Sequence, residues 1–213
     1  MLYMLLYLKS DLLNWLSLFG LSELYLDKSE SVGKIIYIIL MGAYTMKIHI
    51  IGGSGTGKTY LANTLSKKLN IPHYDLDDLF WDNSSAQYGT KMCIEKRNQM
   101  LLNILENNEW ILEGVFYSWV NESFEKSDLI LVLDIPKHVY KRRIICRFVK
   151  RKLGIERGKK ETLKTLRDLL VWTDKFQKEN LIDIYSILNK YKDKTVILKS
   201  VKEINNYMKC NGI

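Results

Sequence analysis

Proline and cysteine are scarce in this chain of 213 residues, which has two prolines and three cysteines. The cysteines, Cys93, Cys146 and Cys210, are far apart in the sequence, and no Cys-x-x-Cys pair or cysteine–histidine cluster is present. This pattern excludes a disulfide-stabilised scaffold and a zinc-finger type of site, and it fits a reducing, cytoplasmic environment. With so little proline, the sequence also offers no rigid linker to a second domain.

Long hydrophobic runs are missing as well. The apolar stretch at residues 35–46 is too short to cross a bilayer as a helix, so we predict no membrane span. The N-terminus lacks the positive charge and the cleavage site of a signal peptide. Residues 1–45 are leucine-rich and contain none of the motifs described below, which leaves a membrane-surface helix as an alternative for them.

A start at Met46 is our preferred interpretation of this N-terminal extension. Codons for Met41-Gly42-Ala43 can contain a ribosome-binding tetrad at a suitable distance before Met46, and an apolar strand follows Met46 directly. We therefore expect residues 1–45 to lie outside the native protein and residues 46–213 to form a single domain of ordinary size.

A glycine-rich loop is the most specific motif in the chain. It has the pattern G-x-x-x-x-G-K-[ST], preceded by an apolar strand and followed by apolar residues at helical spacing. Its residues are Gly52, Gly53, Ser54, Gly55, Thr56, Gly57, Lys58 and Thr59. Such a loop wraps the phosphates of a nucleotide with backbone N–H groups, its lysine adds a positive charge, and its hydroxyl ligates Mg²⁺. The motif predicts ATP and Mg²⁺ as cofactors.

Apolar strands alternate with helical patterns along the rest of the chain. The predicted strands cover residues 48–51, 71–75, 110–113, 128–134 and 195–198. Helices are predicted after the loop and over residues 91–106, 117–126, 137–152 and 161–191, with one more at the C-terminus. This alternation is typical of a parallel sheet buried on both faces. We predict an α/β protein with the three-layer P-loop NTPase fold, a five-stranded parallel sheet and a helical lid.

Carboxylates follow two of the predicted strands. Asp75 and Asp77 come after the second strand and Glu113 ends the third, so they should lie at the ligand-binding edge of the sheet. Asp75 and Glu113 can hold Mg²⁺ through water, and Asp77 can orient or deprotonate an acceptor hydroxyl. The alternatives are an aspartate that caps a helix and a solvated strand end.

The basic residues are concentrated in one segment. Residues 137–167 contain 13 Lys/Arg but two Asp/Glu. Arg143 and Arg147 share a helix face and can clamp a transferring phosphoryl group. Gly154 and Gly158 flank Arg157 and suggest a lid over about residues 147–167. A solvated basic face and a nucleic-acid partner are the alternatives.

Together these motifs resemble the adenylate-kinase-like branch of the P-loop kinases, in particular the small bacterial topology modulation (FlaR-related) proteins. The resemblance covers about residues 46–208 and includes segments 52–59, 75–81, 110–114, 133–136 and 169–172. It implies an ATP-binding fold with a closing lid. It also implies phosphate-contacting arginines at the positions of Arg143 and Arg147.

The acceptor side departs from the nucleoside monophosphate kinases. No arginine occurs between Lys58 and Arg97, where those kinases bind the acceptor phosphate. The chain has carboxylates and aromatic residues there instead, namely Asp75, Asp77, Asp78, Trp81, Phe116, Tyr117 and Trp119. The Asp75-x-Asp77 pattern resembles shikimate- and gluconate-type kinases, in which the second aspartate contacts the acceptor. We therefore predict a kinase of a small hydroxylated or nucleoside-like acceptor, with a nucleotide-dependent DNA- or RNA-binding regulator as the alternative.

Overall fold

The structure is a computed structural model, and it describes residues 46–82, 84–85, 89–156 and 162–210. The expectations about residues 1–45, Arg157 and Gly158 therefore lie outside the described residues. The described residues between 46 and 206 belong to one compact unit, which contains the sheet and the glycine-rich loop. In the part of the chain that the structure describes, no helix is both long enough and apolar enough to cross a membrane.

Five parallel strands form a single sheet, in the order β2-β3-β1-β4-β5. Their bounds are β1 Lys47–Gly52, β2 His73–Asp75, β3 Trp110–Gly114, β4 Leu129–Leu133 and β5 Thr195–Leu198. The helices are α1 Lys58–Leu69, α2 Leu76–Phe80, α3 Ile94–Leu105, α4 Asn121–Lys126, α5 Lys137–Lys152, α6 Leu163–Lys175, α7 Leu181–Leu188 and α8 Val201–Cys210. The predicted α/β class and the five-stranded parallel sheet are confirmed.

The centre of the sheet is buried on both faces. Successive residues of a strand point to opposite faces, and the four residues from Ile48 to Ile51 in β1 are all fully buried. In β4, Ile130 and the three residues after it are fully buried as well. Since neither face of these strands reaches water, helices cover the sheet on both sides, which explains the continuous apolar runs in the sequence.

Two boundaries differ from the prediction for identifiable reasons. The second strand begins at His73 because Pro72 has no N–H and contributes its carbonyl alone, which accepts from the N–H of Ile111. The helix expected from residue 117 begins at Asn121 instead, and Tyr117 lies in the loop before it, where its hydroxyl donates to Asp183 at 3.1 Å. Phe116 lies in the same loop, two residues after the end of β3, and lines the cleft described below.

The segment after α6 is less regular than the predicted helical stretch. The helix continues into a five-residue π-helix, Phe176–Asn180, then into α7 and a 3₁₀ segment, Asn189–Lys194. Short π-helical turns within a helix often occur next to functional sites. Here the fully buried ring of Phe176 lies against the glycine-rich loop, because a Cβ atom at Gly53 would be 3.2 Å from that ring.

Candidate functional site

The glycine-rich loop connects β1 to α1 and depends on glycine at two positions. Gly55 and Gly57 have φ angles of +77° and +105°, which side-chain-bearing residues rarely adopt. Space is also limited, because a Cβ atom at Gly55 would lie 2.8 Å from the carbonyl oxygen of Tyr140 in α5. Helix α5 therefore packs directly on the loop and fixes its shape.

The N-terminus of α1 has the features of an anion site. Its capping residue is Gly57, which makes no side-chain capping bond, and the first turn has no acidic residue. The first-turn N–H groups can therefore donate to phosphate oxygens. Lys58 is largely buried, and its ammonium group donates to the carbonyl of Gly53 at 3.1 Å. The residues present thus fit a nucleotide phosphate.

Thr59 and Glu113 meet at the carboxyl edge of the sheet. The Thr59 hydroxyl donates to Oε1 of Glu113 at 2.5 Å, and the ammonium of Lys58 lies 3.9 Å from Oε2 of the same carboxylate. Because the hydroxyl proton points to Glu113, the lone pairs of the Thr59 oxygen are left for a hard cation. The β2–β3 register places Asp75 beside Glu113. The three residues predicted as Mg²⁺ ligands therefore lie together, and their chemistry fits that ion.

Burial shifts the protonation equilibria of this cluster. Burial raises the pKa of Glu113, an effect opposed by the charge of Lys58. Burial also raises the pKa of Asp75, while its hydrogen bond from the backbone of Asp77 acts in the opposite direction. The pKa of Lys58 is lowered by burial and by the charge of Arg147, against the attraction of Glu113 and both aspartates. A bound cation would favour the ionised carboxylates in this poorly hydrated site.

Asp75 also serves the structural role that the sequence left open. Its side chain accepts from the backbone N–H of Asp77 at 2.8 Å and caps α2. The capping bond uses Oδ1, so a second carboxylate oxygen stays available to the cleft that Asp75 lines. Asp77 lines the same cleft.

The two predicted arginines of α5 lie at the glycine-rich loop. Nη1 of Arg143 donates to the carbonyls of Thr56 at 2.8 Å and of Gly55 at 3.3 Å. Arg147 lines the cleft one turn later. The sequence predicted both arginines as phosphate contacts, but the bonds from Arg143 to the loop carbonyls were not anticipated. The packing of Phe176 against the loop was also missed, because no local pattern marks a helical phenylalanine as a neighbour of Gly53.

One cleft joins the loop to the ends of the strands. It has a volume of about 1120 Å³ and is lined by the glycine-rich loop, the ends of β2 and β3, and faces of α5, α6 and α8. Pockets for one small ligand usually measure roughly 300–1,000 Å³. The cleft is therefore large enough for two ligands side by side.

Aromatic rings form the wall of the cleft beyond the carboxylates. Phe80 and Phe116 are stacked with ring centroids 4.5 Å apart, and Trp81 meets Phe80 edge-on at 4.8 Å. These three residues line the cleft. Trp119, expected on the acceptor side, lies behind the wall, with its ring 5.4 Å from Phe116 and below the guanidinium of Arg97. Tyr117, also expected there, is bonded to Asp183 instead.

The glycine-rich loop, its strand and helix, and the sheet order define a P-loop protein of the α/β class. No family model matches the chain. Among curated proteins, it is 35% identical over 98 residues to the uncharacterized protein YqaC of Bacillus subtilis, a match covering 46% of the chain and 53% of that protein. It is 29% identical over 127 residues to a shikimate kinase of Enterococcus faecalis, covering 54% of the chain and 76% of the relative. The chain thus spans about half the length of the first of these relatives.

Solved structures with a similar arrangement include kinases. A sugar kinase from a Janibacter species has a TM-score of 0.43 at 16% identity, and the match covers 79% of this chain and 95% of that one. A gluconokinase from Sinorhizobium meliloti has a TM-score of 0.46 at 13% identity, covering 79% and 90%. Membership of the topology modulation family stays a prediction.

Proposed function

We propose that this protein is an ATP- and Mg²⁺-dependent kinase that phosphorylates a small hydroxylated or nucleoside-like acceptor. The observation that carries the proposal is the continuity of the cleft. At one end it has an anion site with Lys58, and at the other it has the carboxylates Asp75 and Asp77 next to aromatic rings. A donor phosphate and an acceptor hydroxyl can therefore meet in one enclosed space.

The loop residues have defined tasks in this proposal. The N–H groups of residues 52–59 and the ammonium of Lys58 hold the β- and γ-phosphates. Thr59 would ligate Mg²⁺ directly, and Asp75 and Glu113 would hold it through water. Once bound, Mg²⁺ supplies positive charge that neutralises the phosphate oxygens during transfer. The hydrogen bond from Thr59 to Glu113 sets the direction of the ligating oxygen before the nucleotide arrives.

Transfer requires a base and a charge clamp. Asp77 orients the acceptor hydroxyl and takes its proton as the acceptor oxygen bonds to the γ-phosphorus and the bond to the leaving ADP breaks. Arg143 and Arg147 offset the negative charge that builds up on the phosphoryl oxygens. Because Arg143 also donates to Thr56 in the loop, a movement of α5 would be coupled directly to the phosphate site.

A nucleotide-dependent regulator that binds DNA or RNA is the second candidate function. It is supported by exposed basic residues of α5 that do not line the cleft, such as Arg142, Lys150 and Lys152. Such side chains contact phosphates without reading sequence, so binding would weaken steeply with salt.

One comparison tests both functions. Purified protein is incubated with labelled ATP and Mg²⁺ against nucleosides, sugars and nucleoside monophosphates, and Lys58→Ala is run beside it. A kinase transfers label to one acceptor class, and the folded Lys58→Ala variant loses that transfer. Full activity in Lys58→Ala would remove the site assignment. Salt-steep DNA binding that disappears on charge reversal at Lys150, Arg151 and Lys152, without any transfer, would favour the regulator.

A further inference from the structure

The aromatic wall of the cleft is a stack of planar groups. The guanidinium of Arg97 lies 4.2 Å from the Trp119 ring, Trp119 leans on Phe116, and Phe116 stacks on Phe80 at an angle of 29°. Each planar group in this series therefore contacts the next. Phe80, which ends the series, and its neighbour Phe116 line the cleft, whereas Trp119 and Arg97 support them from behind.

Backbone hydrogen bonds hold this wall in place without a ligand. The N–H of Met92 donates to the carbonyl of Phe80 at 2.9 Å, and the N–H of Asp82 donates to the carbonyl of Thr90 at 2.8 Å. These bonds flank an antiparallel bridge between Trp81 and Lys91. The wall is thus preorganised, so a flat ligand that stacks on it would lose little affinity to ordering the protein.

The charges around the wall disfavour an anionic acceptor. Asp75, Asp77 and Glu113 lie at the strand ends beside it, and Asp168 lines the cleft from α6. The sequence between α2 and α3 contains one basic residue, Lys91, whose ammonium is 5.6 Å from the Phe80 ring centroid. The arginines that line the cleft, Arg143 and Arg147, come from α5 on the phosphate side.

From the ring stack and the surrounding carboxylates, we infer that the acceptor is an uncharged, planar ring compound with a free hydroxyl group, and that it stacks on the Phe80–Phe116 wall. The inference rests on the proposed kinase function and narrows its acceptor class. Stacking selects for flatness, and the carboxylates disfavour an anionic acceptor because no arginine between Lys58 and Arg97 offsets their charge. Phe80 is the specificity-determining residue, because its ring ends the series on the cleft side, with Phe116 and then Trp119 behind it.

Calorimetric titration with matched probes tests the inference, in the presence of Mg²⁺ and a non-hydrolysable ATP analogue. The common nucleosides are compared with their 5′-monophosphates, with ribose and with gluconate. At least one nucleoside should bind about tenfold or more tightly than its 5′-monophosphate, which adds negative charge. The same nucleoside should bind about tenfold or more tightly than ribose, which lacks the planar base. Equal or tighter binding of the monophosphate, ribose or gluconate would overturn the inference, as would the absence of binding by every nucleoside.

Two variants separate stacking from general loss of packing. Phe80→Leu should weaken nucleoside binding about tenfold, which corresponds to about 1.4 kcal/mol, and leave binding of the ATP analogue unchanged. The control is Phe148→Leu, which removes a buried ring of α5 that does not line the cleft and should change neither affinity. If the ATP analogue itself does not bind, the proposed function fails. If it binds and Phe80→Leu has no effect on the affinity for the nucleoside, the acceptor inference alone fails.

Discussion

The ion pair between Lys58 and Glu113 gives a quantitative test of the site. The two charged groups are 3.9 Å apart, and their side chains are 10% and 2% exposed. With an effective dielectric constant of about 20, two unit charges at this distance attract by about 4 kcal/mol, whereas in bulk water the attraction is about 1 kcal/mol. A coupling free energy near the larger value would therefore show that the pair forms in a poorly hydrated site.

A double-mutant cycle measures that coupling. Lys58→Met keeps the chain length without the charge, and Glu113→Gln keeps a carbonyl oxygen that can accept from Thr59. The free energy of unfolding of both single variants, the double variant and the native protein is measured by urea denaturation without ligand. Lys67→Met, at an exposed position of α1, is the control for replacing a lysine and should change stability little.

The pH dependence of stability adds a second readout to the cycle. Burial raises the pKa of Glu113, so the folded state holds a proton that the unfolded chain releases near the ordinary pKa. The contribution of Glu113 to the free energy of unfolding is present below the ordinary pKa and declines as pH rises through the raised pKa of the folded state. Lys58→Met removes the main opposing charge, so the decline in stability should extend to higher pH, whereas the double variant should lose the decline. The reasoning would be refuted by a coupling below about 0.5 kcal/mol, within the usual error of additivity, or by identical pH profiles for Lys58→Met and the double variant.

Two further predictions concern α5 and its neighbours. Arg143→Ala should weaken binding of a non-hydrolysable ATP analogue about tenfold or more, measured by calorimetry, because hydrogen bonds from charged donors contribute roughly 1.5–3 kcal/mol. The control is Arg142→Ala at the exposed neighbouring position, which should change the affinity little. Equal losses of affinity in the two variants would argue against a specific role for Arg143. Asp174 accepts from the Tyr140 hydroxyl at 3.0 Å and from Lys141 at 2.6 Å, and the hydrogen bond from Lys141 is the main cause of its pKa of about 2. The contribution of Asp174 to the free energy of unfolding is present above the ordinary aspartate pKa and is lost as pH falls toward 2. Asp174→Asn should therefore reduce stability by about 1 kcal/mol at neutral pH and make stability depend less on pH in acid, as followed by circular dichroism. If Asp174→Asn unfolds in acid with the same pH dependence as the native protein, this role of Asp174 is wrong.

The sequence predicted the fold well because its signals are local. Runs such as residues 129–133 are buried on both faces and are therefore apolar throughout, which distinguishes them from amphipathic helices. Boundaries were less accurate where tertiary contacts compete with local preference. Tyr117 is an example: it was predicted to begin a helix, but it lies in the loop before α4, where it forms a hydrogen bond to Asp183, 66 positions away.

The candidate site was predictable in its parts but not in its arrangement. Local spacing identified the glycine-rich loop, and the strand order of such folds placed Asp75 and Glu113 at the same edge. No local pattern could indicate that Trp119 would lie behind the wall and Phe80 in front of it, because that depends on the path of the loop after β3 and on its packing against α2.

The sequence by itself determined the chemistry of the phosphate loop and the alternation of strands and helices, since both depend on neighbours a few residues apart. The tertiary structure alone decided which side chains meet. Thr59 and Glu113 are 54 positions apart, and Arg143 reaches the Thr56 carbonyl across 87. Contacts of this kind are set by strand register and by the angle at which α5 packs on the loop. The amino-acid pattern of a single segment does not contain that information.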